Sequence, residues 1–166
     1  MEKSAPGGVR EYLEVRKMGS GQTNREDTIR LLQECDAGVK MGVAAIAEVL
    51  DQVSSQELYR SLSDCKREHE YLGRELQELL SRCGGESGQP SPVAKGMSWL
   101  KTNAKMAASP GDATVADLMT DGCNLGVKTL RRALNRYPEA DALARNVAER
   151  LIHTEDALTR RIVPFL

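Results

Sequence analysis

The chain has 166 residues, 40% of them hydrophobic, and its 23 basic and 24 acidic side chains leave a net charge of −1. That length supports one domain with its own core, and one tryptophan (Trp99), one phenylalanine (Phe165) and four tyrosines are too few aromatics for strand-built sandwiches or barrels. No stretch concentrates basic charge, which argues against nucleic acid, and no run of about 18 apolar residues is present to span a membrane.

No apolar h-region follows the first charges, so the expectation is a cytoplasmic protein without a secretory signal. Residues 1–23 read as a flexible N-terminal tail, because Pro6-Gly7-Gly8 and Gly19-Ser20-Gly21 bracket a short charged segment with little apolar face. Helix-start signals then recur. Asn24-x-x-Asp27, Ser54-x-x-Glu57 and Thr114-x-x-Asp117 each pair a cap with an acid three residues on. Ser91-Pro92 and Tyr137-Pro138 place proline at a first helical position, and Gly84-Gly85 closes a helix after Cys83.

These signals predict five helices, roughly 25–53, 55–83, 92–107, 115–136 and 138–163. Four of them carry single apolar stripes at steps of three and four. The first has Leu32, Cys35, Val39, Val43, Ile46, Leu50 and Val53; the second has Leu58, Leu62, Cys65, His69, Leu72, Leu76 and Leu79. The fourth has Ala116, Cys123, Val127, Leu130 and Leu134, and the fifth Leu143, Val147, Leu151, Thr154, Leu158, Ile162 and Phe165. The expected fold is all-α: a four-helix bundle over residues 24–166, with hairpins 25–83 and 115–163 and a crossover 84–114. Met97 and Trp99 would pack the crossover helix down, and Leu118 and Leu125 would receive either that helix or a second subunit.

An internal repeat supports the two-hairpin reading. Cys35-Asp36-Ala37-Gly38-Val39-Lys40 is echoed by Cys123-Asn124-Leu125-Gly126-Val127-Lys128. Further on, His69-Glu70-Tyr71-Leu72-Gly73-Arg74 aligns with Glu155-Asp156-Ala157-Leu158-Thr159-Arg160, once a two-residue change in the hairpin turn is allowed. Together with Gly96-Met97-Ser98-Trp99-Leu100-Lys101 in the connection, these features resemble the ferritin-like four-helix bundles, and in particular an uncharacterised bacterial branch with no assigned activity.

The resemblance implies where a metal would sit. Metal-active members carry a Glu on one helix and Glu-x-x-His on its partner, in both halves, so that side chains on one face reach a common centre. Here Lys66 stands three residues before His69 and Arg150 three before His153, which departs from the pattern in each half. His153 falls on a polar face with Glu149, Asp156 and Arg160. His69 lies on the core stripe, and its repeat partner is Glu155; Asp36 and Asn124 lie about one turn away at the edges of their own stripes. His69, Glu155 and Asp36, with Asn124, are therefore candidates for one polar cluster, since a buried carboxylate needs partners.

The cluster has three readings: a hydrogen bond that fixes which helices pair, an atypical site for a transition metal ion, or an edge location where both side chains reach solvent. Cys35 and Cys123, at equivalent inward positions, act as buried small side chains or as a redox pair if the two-fold brings them together. Neither a P-loop, a dinucleotide fingerprint nor a nucleophile elbow is present. The sequence thus predicts a non-catalytic, self-associating structural or interaction protein, with a metal-binding protein as the alternative.

Overall fold

The architecture follows from where the four apolar stripes point. The computed structural model describes residues 8–89 and 106–166, with side chains from residue 21 onward. Among the described residues every regular element is helical and there is no strand. The long helices are α1 (Gly8–Val49), α2 (Gln56–Cys83), α3 (Asp112–Arg136) and α4 (Ala142–Ile162), with 3-10 turns at Leu50–Gln52 and Val163–Phe165. The predicted third helix, with Met97 and Trp99, lies outside the described residues apart from Met106 and Ala107.

The N-terminal expectation is corrected. In place of a tail through residue 23, α1 runs back to Gly8. Residues 9–18 are mostly Arg, Glu, Leu, Val, Lys and Met, several of them strong helix formers. Gly19 and Gly21 cost about 1 kcal/mol each relative to alanine, but remove no backbone hydrogen bond. Asn24 and Asp27 consequently cap nothing on their own helix.

The other boundaries are held by side chains within a few residues of the expected ones. Ser55, one residue beyond Ser54, caps α2 by accepting from Leu58 N at 3.3 Å. Gly84 ends α2 at φ 67, a left-handed conformation that favours glycine. Asp141, not Pro138, opens α4 and accepts from Ala144 N at 2.8 Å. The Asp112 carboxylate at the start of α3 accepts from Ser54 N at 2.8 Å and Ser55 N at 2.9 Å, tying α3 to the α1–α2 turn.

α1 packs on α2 and α3 on α4; the pairs meet chiefly along α2 and α4, and more lightly along α1 with α3 and α4. The stripes bury as predicted, but in two separate clusters. Leu31, Leu32, Cys35 and Val39 join Leu72, Leu76, Leu80, Leu130, Leu134, Val147 and Leu151 in one. Ile46, Val49, Leu58, Leu62, Cys65, Met119, Cys123, Leu158 and Ile162 form the other. Each fully buried leucine or isoleucine is worth about 1.5–3 kcal/mol relative to exposure, so both clusters hold the helices together. One stripe position differs from expectation: Leu143 is exposed and Ala144 takes the inward place beside it; of the two leucines off the α3 stripe, Leu118 is buried and Leu125 exposed.

The end of the molecule that carries both Gly84 and the α3–α4 turn is fastened by one stretch of α1. Asn24 Nδ2 donates to Glu139 O at 2.5 Å, and Asp27 Oδ2 accepts from Glu139 N at 3.0 Å. Thr28 Oγ1 accepts from Asp141 N at 2.9 Å, while Arg25 donates twice to Cys83 O at 3.0 and 3.1 Å.

Candidate functional site

Between the two apolar clusters lies a single polar layer to which all four helices contribute. His69 of α2 is 1% exposed, and its Nε2 lies 3.0 Å from Glu155 Oε1 of α4. On the same helix, Cys65 approaches twice: its carbonyl oxygen is 2.9 Å from His69 Nδ1 and its Sγ 3.5 Å. The remaining two helices contribute space. A Cβ added at Gly42 of α1 would stand 3.0 Å from His69 Cδ2 and Nε2, and one at Gly126 of α3 would stand 3.2 Å from Glu155 Oε1. Ring and carboxylate thus occupy volume that any larger residue on the facing helices would claim.

The hydrogen bonds fix the protons. A backbone carbonyl only accepts, so Nδ1 carries a hydrogen; a carboxylate also accepts, so Nε2 carries the other. Burial works against the resulting imidazolium, but hydrogen bonds to the Cys65 and Glu155 side chains and the Glu155 charge outweigh it, and the His69 pKa is pushed up to about 10. His69 and Glu155 are therefore a charged pair at neutral pH, with the Glu155 side chain only 13% exposed.

Cys123 of α3 completes the layer. Its thiol is buried close to the Glu155 carboxylate. Burial, then the Glu155 charge and hydrogen bond, push this thiol's pKa up. The Glu155 carboxylate thus gathers the His69 imidazolium from one side and the Cys123 thiol from another.

Of the sequence candidates, His69 and Glu155 meet; Asp36 and Asn124 do not join them. Asp36 is 2% exposed, yet its carboxylate belongs to another network. It accepts from Gln77 Nε2 at 2.8 Å, Ser87 Oγ at 3.0 Å and Lys40 Nζ at 2.9 Å. Lys40 also donates to Gly88 O at 2.7 Å, so the network straps residues 84–89 onto α1. The reason is register: α1 and α2 run antiparallel, which sets Asp36 beside Gln77 and Gly42 beside His69. Asn124 is exposed, one step round α3 from buried Cys123, and His153 is exposed as its polar face predicts.

The two cysteines of the repeat are both buried but do not meet, since Cys35 lies in one apolar cluster and Cys123 in the other. Burial, helped by the Glu34 and Asp36 charges, pushes the Cys35 thiol up to about 12. It is an inert packing group. Lys66 and Arg150, at the positions where the resemblance calls for carboxylates, are themselves paired: Lys66 with Glu70 at 2.7 Å, and Arg150 with Glu75 at 2.8 and 3.0 Å. These residues do not fit a di-metal carboxylate centre. Among the described residues no group of three or more His, Cys, Asp or Glu side chains stands ready to hold a metal ion.

Two members of the layer escape a stripe reading, Gly42 and Gly126. Their signal is a glycine in the middle of a helix, which costs about 1 kcal/mol and so needs a packing reason.

No family model matches the chain, and no relative is found among curated proteins. Among solved structures the chain is similar to a DUF305 fragment from Deinococcus radiodurans, with 16% identity and a TM-score of 0.65. The similarity covers 82% of this chain and 92% of that one. At that identity the likeness concerns the fold, a helical arrangement shared across most of both chains.

Proposed function

We propose that the chain is a non-catalytic structural or interaction module, a ferritin-like four-helix bundle made of two repeated hairpins, which self-associates in the cytoplasm. One observation carries this reading: both nitrogens of the buried imidazole are bonded within the chain, and one of those bonds crosses from the first hairpin to the second. Repeat partners in sequence are thus bonding partners in space. A His–Glu contact between hairpins selects one pairing of helices, the best-attested use of a buried polar pair. The four cysteines are free thiols, which suits a reducing compartment, and among the described residues no helix is long and apolar enough to cross a membrane.

Self-association draws support from apolar side chains left at the surface. Tyr59, near the start of α2, and Val163 and Leu166, beyond the end of α4, are about half exposed or more and sit at the same end of the molecule. Light scattering across a hundredfold concentration range tests this: a mass of two or more chains is expected. A monomer at every concentration, or turnover of any substrate that depends on His69, would sink the reading.

A further inference from the structure

The strap over α1 depends on one surface hydroxyl. Ser87 stands in the non-helical stretch 85–89 and is exposed, yet its Oγ donates at 3.0 Å to the carboxylate of Asp36, which is buried. The same oxygen accepts from Lys40 Nζ, and from Gln77 Nε2 at 3.4 Å. On either side the main chain is held by its carbonyls: Glu86 O accepts from Gln33 Nε2 at 3.1 Å, and Gly88 O from Lys40 Nζ at 2.7 Å. Gly88 is buried, and a Cβ there would collide with Gln33 O, so strap backbone lies directly on α1 backbone with no volume to spare.

We propose that Ser87 is a phosphorylation site, and that its phosphorylation releases the strap. A serine kinase moves the γ-phosphoryl group of a nucleoside triphosphate to Oγ. The Oγ–H bond and the P–O bond to the nucleoside diphosphate break, an Oγ–P bond forms, and the hydroxyl proton passes to solvent. Ser87 then has no hydrogen to give Asp36, and about −1.5 to −2 of charge arrives beside a buried carboxylate. The network changes from Asp36 and Lys40 in balance, 2.9 Å apart, to two anions that share one cation. Like-charge repulsion in a poorly solvated place opposes that arrangement, and the tight seat of Gly88 leaves the strap no small shift to relieve it.

Access to the hydroxyl needs only local opening. The bonds described for residues 86–88 all run to side chains of α1 and α2, and none belongs to a helical ladder. Other serines are less available: Ser61 is buried within α2, and Ser55 caps that helix. Release uncovers Gln33, Asp36, Lys40 and Gln77 along the groove between α1 and α2. The proposal concerns the strap alone and does not depend on self-association or on the His69–Glu155 layer.

The test has two arms, both on the full chain. Mass spectrometry of the protein isolated from its natural source with phosphatase inhibitors should place one phosphoryl group on Ser87 in the tryptic peptide Cys83–Lys95; phosphate on Ser91 alone, or none, would overturn the assignment. Phosphoserine installed at position 87 by genetic code expansion should lower the NMR order parameters of Ser87 and Gly88 from about 0.85 to below about 0.6, with those of α1 and α2 unchanged. Asp36→Asn in the phosphorylated protein should restore them, since an amide removes the like charge and donates to the phosphate. A strap that stays ordered when phosphorylated, or that loosens equally with Asp36→Asn, refutes the release.

Discussion

Replacing Glu155 by leucine removes the only acceptor of His69 Nε2 among the bonds described for the ring. The imidazole stays where α2 holds it, 1% exposed and bonded to the Cys65 carbonyl at its other nitrogen. Breaking a buried pair by deleting one partner costs about 3–5 kcal/mol, because the survivor keeps its desolvation and loses its counter-charge. Glu155→Leu is therefore expected to lose about 3–4 kcal/mol of unfolding free energy in urea. His69→Leu/Glu155→Leu should recover most of that loss, since two apolar groups of similar volume replace an ion pair at little net cost. The two changes should couple by about 2–3 kcal/mol in a double-mutant cycle. Single losses below about 1 kcal/mol, or strict additivity, would show that the layer does not contain a charged pair.

Three further outcomes follow from the same geometry. The folded pKa of His69, about 10, lies above its ordinary 6.5, so its contribution is complete below about pH 6.5 and is lost as pH rises through 10; between pH 7 and 10.5 the wild type's urea midpoint should fall more steeply than that of the double leucine variant, and parallel curves would contradict this. Gly42→Ala places a Cβ 3.0 Å from a ring pinned at both nitrogens, and should cost about 1–3 kcal/mol; in a His69→Ala background the same change should become stabilising by up to about 1 kcal/mol, a sign reversal read by thermal melting. Asp36→Ala strips Lys40, Gln77 and Ser87 of a shared acceptor and should cost about 2–3 kcal/mol; hydrogen exchange should quicken in residues 84–89, and unchanged protection there would refute the strap.

How far the sequence reaches can be seen residue by residue. Helical periodicity exposes Leu58, Leu62, Leu72 and Leu76, because burial on one face leaves a mark every three or four positions. The echo between the two halves of the sequence points to His69 and Glu155, which meet across the core. Asp36 defeats the same logic. Its burial is legible at the edge of a stripe, but its partners are set by the antiparallel register of α1 against α2, which depends on tertiary packing. Asn24 and Asp27 show a different limit. They have the chemistry of helix caps and do cap backbone groups, at a turn more than a hundred residues away. Side-chain chemistry is local to the sequence, whereas the address of its partner is not.

That fastening also bears on the order of folding. The stretch from Asn24 to Thr28 bonds to groups 112 to 115 residues further along the chain, and Arg25 to one 58 residues further. Closing loops of that length costs chain entropy that no local contact offsets, so these bonds form after each hairpin has assembled. The buckle is thus a late contact: loosening it should hasten unfolding while leaving the folding rate nearly unchanged. A single turn of one helix would then govern how long the assembled molecule survives, more than how quickly it arises.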